Sequence, residues 1–270
     1  MKGYAVLIGV EETNIKHFGD KNHAPNASTS VEAIYNYLKE HSTISVSEQD
    51  KFIKSQAILK DIELRLETLA EISHNEPIYL FLYLVGHGMN QKLNSEDIFT
   101  FFKLYDQMLF ENELKNLLKK FHWNSKIFCV IDSCNAGGMF DERFIAPDYT
   151  FGIKKNNFTS LSYDKIINLY NRKLNIELDY KRNCSTFIIT SVGQTEWANM
   201  DGLNGMFHFS YFFLKFLEKS KNYCELFDHL KEKFEIQVRT PLGDYQMPQK
   251  FTLNSDTTYF KTNKPLIIKQ

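Results

Sequence analysis

The chain has 270 residues, of which 43% are hydrophobic and 24% are charged, and Lys+Arg 32 against Asp+Glu 33 leave a formal net charge of -1. These values are typical of a globular protein and exclude disordered and fibrous classes. Because the basic residues are scattered and the longest early apolar run spans only Tyr4–Val10, we expect neither nucleic-acid binding nor a membrane segment.

The first predicted elements are a buried strand and two helices. Tyr4–Val10 is continuously apolar and contains β-branched residues, which is typical of a strand covered on both faces in a parallel sheet. Thr29, with Glu32 three residues later, predicts a capping box at the start of a helix. Ser55 is predicted to cap a second helix, whose apolar residues recur at steps of three and four, and Pro77 to end it.

The remaining chain continues to alternate between strand and helix. Alternation of this kind predicts an α/β fold, with a parallel sheet between helices and functional residues beyond the carboxyl ends of its strands. Residues 140–183 form a connection far longer than usual, so we predict a single domain over 1–270 with a long insertion or linker at about 140–183. The predicted strands are Ile78–Val85, Lys126–Asp132 and Thr186–Ser191, and the predicted helices are Phe110–Phe121, Phe207–Leu217 and Tyr223–Phe234.

Two predicted strands end in residues that core packing does not require. If Ile78–Val85 and Lys126–Asp132 are parallel neighbours, His87 and Cys134 emerge side by side at one edge of the sheet. A thiol is little ionised at pH 7, so a cysteine nucleophile benefits from an imidazole that accepts its proton and returns it to the leaving group. We expect the backbone N–H groups of Gly88 and Cys134 to form an oxyanion hole.

The other cysteines carry no such signal. Cys129, Cys184 and Cys224 are interpreted as inert free thiols, because buried cysteines usually behave as small hydrophobic residues. Four cysteines in a chain of this length, without a secretion signal, indicate a reducing compartment rather than a disulfide framework. We therefore expect a cytoplasmic protein.

The two strand ends together carry a resemblance. Tyr83–Gly88 and Asp132–Gly137 resemble the His-Gly and Asp-x-Cys-x-x-Gly pair of the caspase-like cysteine peptidases (clan CD, peptidase C14 type), closest to their metacaspase and bacterial orthocaspase branches. The separation of His87 and Cys134 also fits the roughly 50-residue spacing of caspases. Further similarity, over nearly the whole chain, lies at Ala5–Gly9, Phe187–Ser191, Gln194–Ala198, Gly205–Phe207 and Gln246–Gln249.

The resemblance implies a fold and an activity. The fold is a caspase-like three-layer α/β/α sandwich around a mostly parallel six-stranded sheet. The activity is that of an endopeptidase in which Cys134 is the nucleophile and His87 the general acid/base. A silent caspase-fold interaction module and another thiol-dependent hydrolase or acyl transferase are the alternatives.

The resemblance also implies a substrate pocket that accepts Arg or Lys before the cleaved bond. Asp132 falls on a pocket carboxylate position, and a charge-assisted pair there is strong when water is excluded. Ser30 stands where the family has a second aspartate, Val85 replaces a serine, and Ser191 completes the predicted substrate-binding set. Asp132 alternatively acts only as a structural acceptor for N–H groups near the nucleophile.

No cofactor is expected. Zinc-ligand spacing is missing, and calcium activation, which some family members need, is left open because Glu96, Asp97 and Asp106 cluster loosely without an EF-hand loop. The expected partners are a protein substrate and a regulatory protein, which in bacteria suggests antiviral defence or cell-death signalling. Basic residues within 140–183 leave open whether that segment is self-cleaved or is only a solvated insertion.

Overall fold

Nine strands and six helices are defined in the computed structural model, which describes residues 1–14, 23–92, 98–139, 184–193, 198, 202–237, 246–253 and 257–268. The strands are β1 (Lys2–Gly9), β2 (Lys51–Ile53), β3 (Ile78–Gly86), β4 (Gly88–Lys92), β5 (Ile98–Lys103), β6 (Met108–Phe110), β7 (Lys126–Ser133), β8 (Ser185–Thr190) and β9 (Gln249–Leu253). The helices are α1 (Ala27–His41), α2 (Leu59–Asn75), α3 (Glu111–Lys119), α4 (His208–Leu217), α5 (Tyr223–Gln237) and α6 (Thr258–Thr262).

The six-stranded sheet has the order β2-β1-β3-β7-β8-β9. All its neighbours pair in parallel except β8 and β9, which are antiparallel. Parallel strands need crossover connections, and the helices between them supply these crossovers. The prediction of an α/β fold with a mostly parallel six-stranded sheet is confirmed.

Helices cover both faces of this sheet, which explains why its central strands are apolar throughout. Along β3, Leu80, Leu82 and Leu84 pack in one cluster with α2 and α3. Tyr79 and Phe81, which alternate with them, pack in a second cluster with α1, α4, α5 and α6. Successive side chains of a strand point to opposite faces, so a strand buried on both faces shows no polar alternation.

The predicted caps of the first two helices are wrong. α1 begins at Ala27, because Asn26 adopts a left-handed conformation (φ 77°) and its carbonyl accepts the N–H of Ser30 at 2.9 Å. The predicted cap Thr29 therefore lies inside the helix. α2 begins at Leu59 rather than after Ser55, and the Leu59 N–H donates to Oδ1 of Asp106 at 3.1 Å. A carboxylate distant in sequence caps α2.

A second, three-stranded antiparallel sheet of order β4-β5-β6 was not predicted from the sequence. It follows β3 almost directly, so β3 leads through His87 into β4. The edge strand β2 was also missed. The predicted insertion at 140–183 lies outside the described residues, and the single-domain boundaries stay a prediction. All four cysteines are free thiols.

Candidate active site

The register between β3 and β7 brings the two proposed catalytic residues to the same edge of the sheet. Gly86 is paired with Ser133 at the carboxyl ends of these parallel strands. His87 directly follows β3 and Cys134 directly follows β7. Both residues therefore stand at the carboxyl ends of parallel strands, where the functional sites of α/β sheets form. The arrangement expected from the sequence is therefore present in the backbone.

Glycine is required on both sides of His87. Gly86 has φ 153°, which side chains rarely adopt, and a Cβ there would lie 2.8 Å from the carbonyl oxygen of Val10. A Cβ at Gly88 would lie 2.0 Å from the carbonyl oxygen of Cys134 and would collide with it. The backbone of Gly88 thus approaches the backbone of the cysteine directly.

The hydrogen bonding of β4 bears on the proposed oxyanion hole. The Lys103 N–H donates to the carbonyl of His87 at 2.9 Å, and Gly88 is the next residue, opposite Phe102. Since bonded and non-bonded pairs alternate in an antiparallel ladder, the Gly88 N–H is directed away from β5. That direction leaves it suited to a substrate oxygen, and its role as an oxyanion donor stays a prediction.

The environment of His87 favours a neutral imidazole. The pKa of His87 is lowered to about 4, chiefly by burial and also by the charge of Lys103, whereas a hydrogen bond to the main chain of His23 acts in the opposite direction. Nε2 is buried and makes no hydrogen bond to any residue that the structure describes. An imidazole that donates from Nδ1 to the main chain of His23 keeps on Nε2 the lone pair that a base needs.

The thiol of Cys134 is covered, and burial favours its protonated form. The residue is 3% exposed, and Sγ is directed at the carbonyl oxygen of Ala198, 4.0 Å away. Burial raises the pKa of the Cys134 thiol, whereas the Ala198 contact and the charge of Lys103 lower it. Asn135 follows in a left-handed conformation (φ 57°) and turns the chain directly after the nucleophile.

Two residues of this site were missed from the sequence. The main chain of His23, in the loop before α1, bonds the imidazole of His87. Lys103, the last residue of β5, is buried near both His87 and Cys134. The sequence feature that could have identified Lys103 is its charge within the otherwise uncharged segment Phe99–Leu104. A charged residue is unusual in a buried strand.

The Asp132 side chain lies on the face of the sheet opposite to the Cys134 thiol, and it is fully buried. Its Oδ2 accepts hydrogen bonds from the N–H of Ser210 at 3.0 Å and from the Ser210 hydroxyl at 2.5 Å. Burial raises the pKa of Asp132 to about 6, and hydrogen bonds from Ser210 and from the Ser191 side chain act in the opposite direction. Oδ1 has no hydrogen-bond partner within the described parts of the chain.

The other predicted pocket residues surround Asp132 but are engaged in the fold. Val85 pairs with Asp132 across β3 and β7 and is buried. The Ser30 hydroxyl donates to the carbonyl of Asn26 at 2.8 Å and accepts the Phe207 N–H at 3.1 Å. These bonds favour a structural role for Ser30. Asp132 is the only one of the four predicted pocket residues that carries a carboxylate.

Ser191, the fourth predicted pocket residue, follows β8 and is buried. Its hydroxyl donates to the carbonyl of Ser133 at 3.4 Å, and its own carbonyl accepts a hydrogen bond from Gln246 at 3.0 Å. Ser191 thus joins the end of β8 to the end of β7 beside the cysteine. The four predicted pocket residues lie around one strand end.

The described residues offer no metal centre. No group of three or more His, Cys, Asp or Glu side chains within the described ranges is arranged to hold a metal ion. Of the acidic residues considered for calcium, Asp106 caps α2, and Glu96 and Asp97 lie outside the described residues. Among the described helices, none has the length and apolar character needed to cross a membrane.

Comparisons with known proteins support the fold. No protein-family model matches this chain, and no curated protein matches its sequence. A structural genomics protein from Geobacter sulfurreducens is 16% identical, with a TM-score of 0.75 over 100% of both chains. Caspase-1 from Spodoptera frugiperda is 11% identical, with a TM-score of 0.60 over 94% of this chain and 87% of that chain. The chain therefore has a caspase-like α/β fold, and a fold alone does not establish an activity.

Proposed function

We propose that this protein is a caspase-like cysteine endopeptidase in which Cys134 is the nucleophile and His87 the general acid/base. The observation that carries the proposal is the parallel pairing of Gly86 with Ser133, which delivers both residues to one sheet edge. The likeness in fold to caspase-1 from Spodoptera frugiperda supports it. The metacaspase-like or orthocaspase-like character rests on the motif resemblance.

The neutral imidazole suits the first step of the reaction. Nε2 of His87 accepts the proton of the Cys134 thiol, and the thiolate attacks the carbonyl carbon of the scissile peptide bond. The resulting oxyanion accepts hydrogen bonds from the N–H groups of Gly88 and Cys134. The C–N bond then breaks as His87 returns its proton to the leaving amine, and water hydrolyses the thioester to restore the thiol.

Access to the nucleophile requires a rearrangement. The Cys134 thiol is covered and directed at the Ala198 carbonyl, so a substrate must displace that contact before attack. This arrangement supports an enzyme restrained until a trigger or a regulatory protein opens the site. A covered site also suits the cell-death or antiviral setting that we infer from the family resemblance.

Cleavage of a peptide library tests the activity, with Cys134→Ala as the matched control. Cleavage by the wild-type protein and none by the control supports an endopeptidase. Labelling of Cys134 by a thiol reagent without any cleavage favours another thiol-dependent hydrolase or acyl transferase. Neither cleavage nor labelling favours a silent interaction module. The intact masses of both proteins also test self-cleavage within 140–183, because identical uncut masses would exclude it.

The substrate preference is proposed to be Arg or Lys, recognised by Asp132. Its Oδ1 has no hydrogen-bond partner among the described residues, which supports recognition of a cation. Asp132→Asn is then expected to abolish cleavage after Arg and Lys while leaving thiol labelling of Cys134 intact. Unchanged selectivity in the same library would assign Asp132 to its structural role with Ser210.

A further inference from the structure

A buried lysine that the proposed reaction does not use lies beside the dyad. Lys103 is 4% exposed, and its N–H donates to the carbonyl of His87 at 2.9 Å. Continuing the register of Gly88 with Phe102 places Lys103 directly opposite His87. Residues opposite each other in an antiparallel pair project their side chains from the same face. The side chains of Lys103 and His87 therefore share a face.

Cys134 joins this pair from the neighbouring sheet. The pairing of Gly86 with Ser133 places Cys134 beside His87, and the backbone of Gly88 approaches the backbone of Cys134 directly. β5 also packs against the 3₁₀ turn Ala136–Met139 that follows the cysteine. The pairing of β4 with β5 thus places the amine of Lys103 on the same face as the imidazole of His87. The pairing of β3 with β7 places the thiol of Cys134 beside that imidazole.

The electrostatics of the amine and the thiol are complementary. Burial lowers the pKa of Lys103 to about 8, and the thiolate of Cys134 acts in the opposite direction. Burial raises the pKa of Cys134, and the charge of Lys103 lowers it. A buried charge is costly unless an opposite charge lies near it. A thiolate at Cys134 therefore offsets the free-energy cost of burying the Lys103 ammonium. The ammonium in turn offsets the cost of burying the thiolate.

Further charged groups lie on the elements that pack near β5 and Cys134. Asp132 lies on the opposite face of β7, and its charge raises the pKa of Cys134. α3, which also packs against β5, carries Glu111, Glu113 and Lys115. The Glu113 carboxylate accepts the N–H of Phe110 at 2.9 Å and so caps its own helix.

We propose that the ammonium of Lys103 is the cation that stabilises the Cys134 thiolate, so that His87 is neutral before the reaction and carries a charge only while it holds the thiol proton. The thiol proton passes to Nε2 of His87, and no proton leaves Lys103. The catalytic meaning of this inference rests on the proposed function, but stabilisation of the thiolate needs no substrate. Lys103 is thus a charge-stabilising residue that acts through the nucleophile.

The pH dependence of Cys134 alkylation by iodoacetamide tests the proposal. The rate is followed by mass spectrometry of the Cys134 peptide in a Cys224→Ser background, because Cys224 is the least buried of the other free thiols. Lys103→Met removes the charge, Lys103→Arg keeps it, and Lys126→Met is the control. Lys126 lies at the opposite end of β7, where its amine donates to Ser185 at 3.1 Å.

At pH 7, where Lys103 is charged, we expect Lys103→Met to alkylate about tenfold more slowly than wild type, because it has about tenfold less thiolate. Lys103→Arg and Lys126→Met should keep the wild-type rate at this pH. Equal rates in wild type and Lys103→Met would overturn the proposal. An equal fall in Lys103→Arg would also overturn it, because it would assign Lys103 a packing role alone.

A second variant and the cleavage assay distinguish failure of this inference from failure of the proposed function. If Lys103→Met does not fold, Lys103→Gln replaces it and must show the same fall in alkylation rate at pH 7. Alkylation that depends on the charge of Lys103 without any peptide cleavage would refute the endopeptidase but uphold this inference. Cleavage with alkylation that is independent of Lys103 would refute this inference alone.

Discussion

Replacing Asp132 with Asn should stabilise the protein relative to wild type, and by more as the pH rises. The side chain is fully buried, and burial raises the pKa of Asp132 to about 6, whereas an unfolded aspartate titrates near 3.9. A carboxyl whose pKa is raised on folding contributes its full stability below about pH 3.9. That contribution is lost as the pH rises through about 6.

The expected magnitude follows from the two pKa values. They differ by about two pH units, and each unit is worth about 1.4 kcal/mol, so the loss reaches about 3 kcal/mol above pH 7. Asn has nearly the same shape and can accept the Ser210 hydrogen bonds, but it does not ionise. The stability of Asp132→Asn minus that of wild type should therefore grow by about 3 kcal/mol between pH 3 and pH 8.

Urea unfolding at a series of pH values measures this difference, in which the other titrating groups cancel. Ser210→Ala is an informative companion, because it removes a hydroxyl bond that lowers the pKa of Asp132 and should enlarge the loss above pH 6. A stability difference that stays flat or falls as the pH rises would refute the reasoning. It would mean that the ionised carboxylate of Asp132 is stabilised in the folded protein by solvation or by a paired charge.

Three further predictions concern the site and its scaffold. Gly88→Ala should lower kcat/KM on the best library peptide by about 100-fold or more, because its Cβ would collide with the carbonyl of Cys134; wild-type activity would contradict the close approach. Cleavage should keep its acid limb near pH 4, because activity needs a neutral His87 and requires the pH to lie above its lowered pKa; a limb near 6.5 in the pH–rate profile would contradict this. Asp106→Ala should cost about 1 kcal/mol in urea unfolding by removing the cap of α2 at Leu59, and no loss would show that water replaces the carboxylate.

The long apolar strands were predictable because burial on both faces leaves its mark on every residue. The predicted segment Ile78–Val85 agrees with β3, and the predicted segment Lys126–Asp132 agrees with β7, each to within one residue at its end. Helix starts were less predictable. The cap of α2 at Asp106 is 47 residues from Leu59, and the start of α1 depends on the left-handed conformation of Asn26. Neither feature follows from local propensity.

The sequence alone determined which residues stand at the ends of the central strands, because the apolar runs end at Gly86-His87 and at Asp132. Only the tertiary structure decided which strands are neighbours, and hence that His87 and Cys134 share an edge. It also placed Lys103 opposite His87, through a hairpin that the sequence pattern did not predict. Local periodicity records whether a residue is buried, whereas strand pairing and buried charge depend on contacts between distant segments.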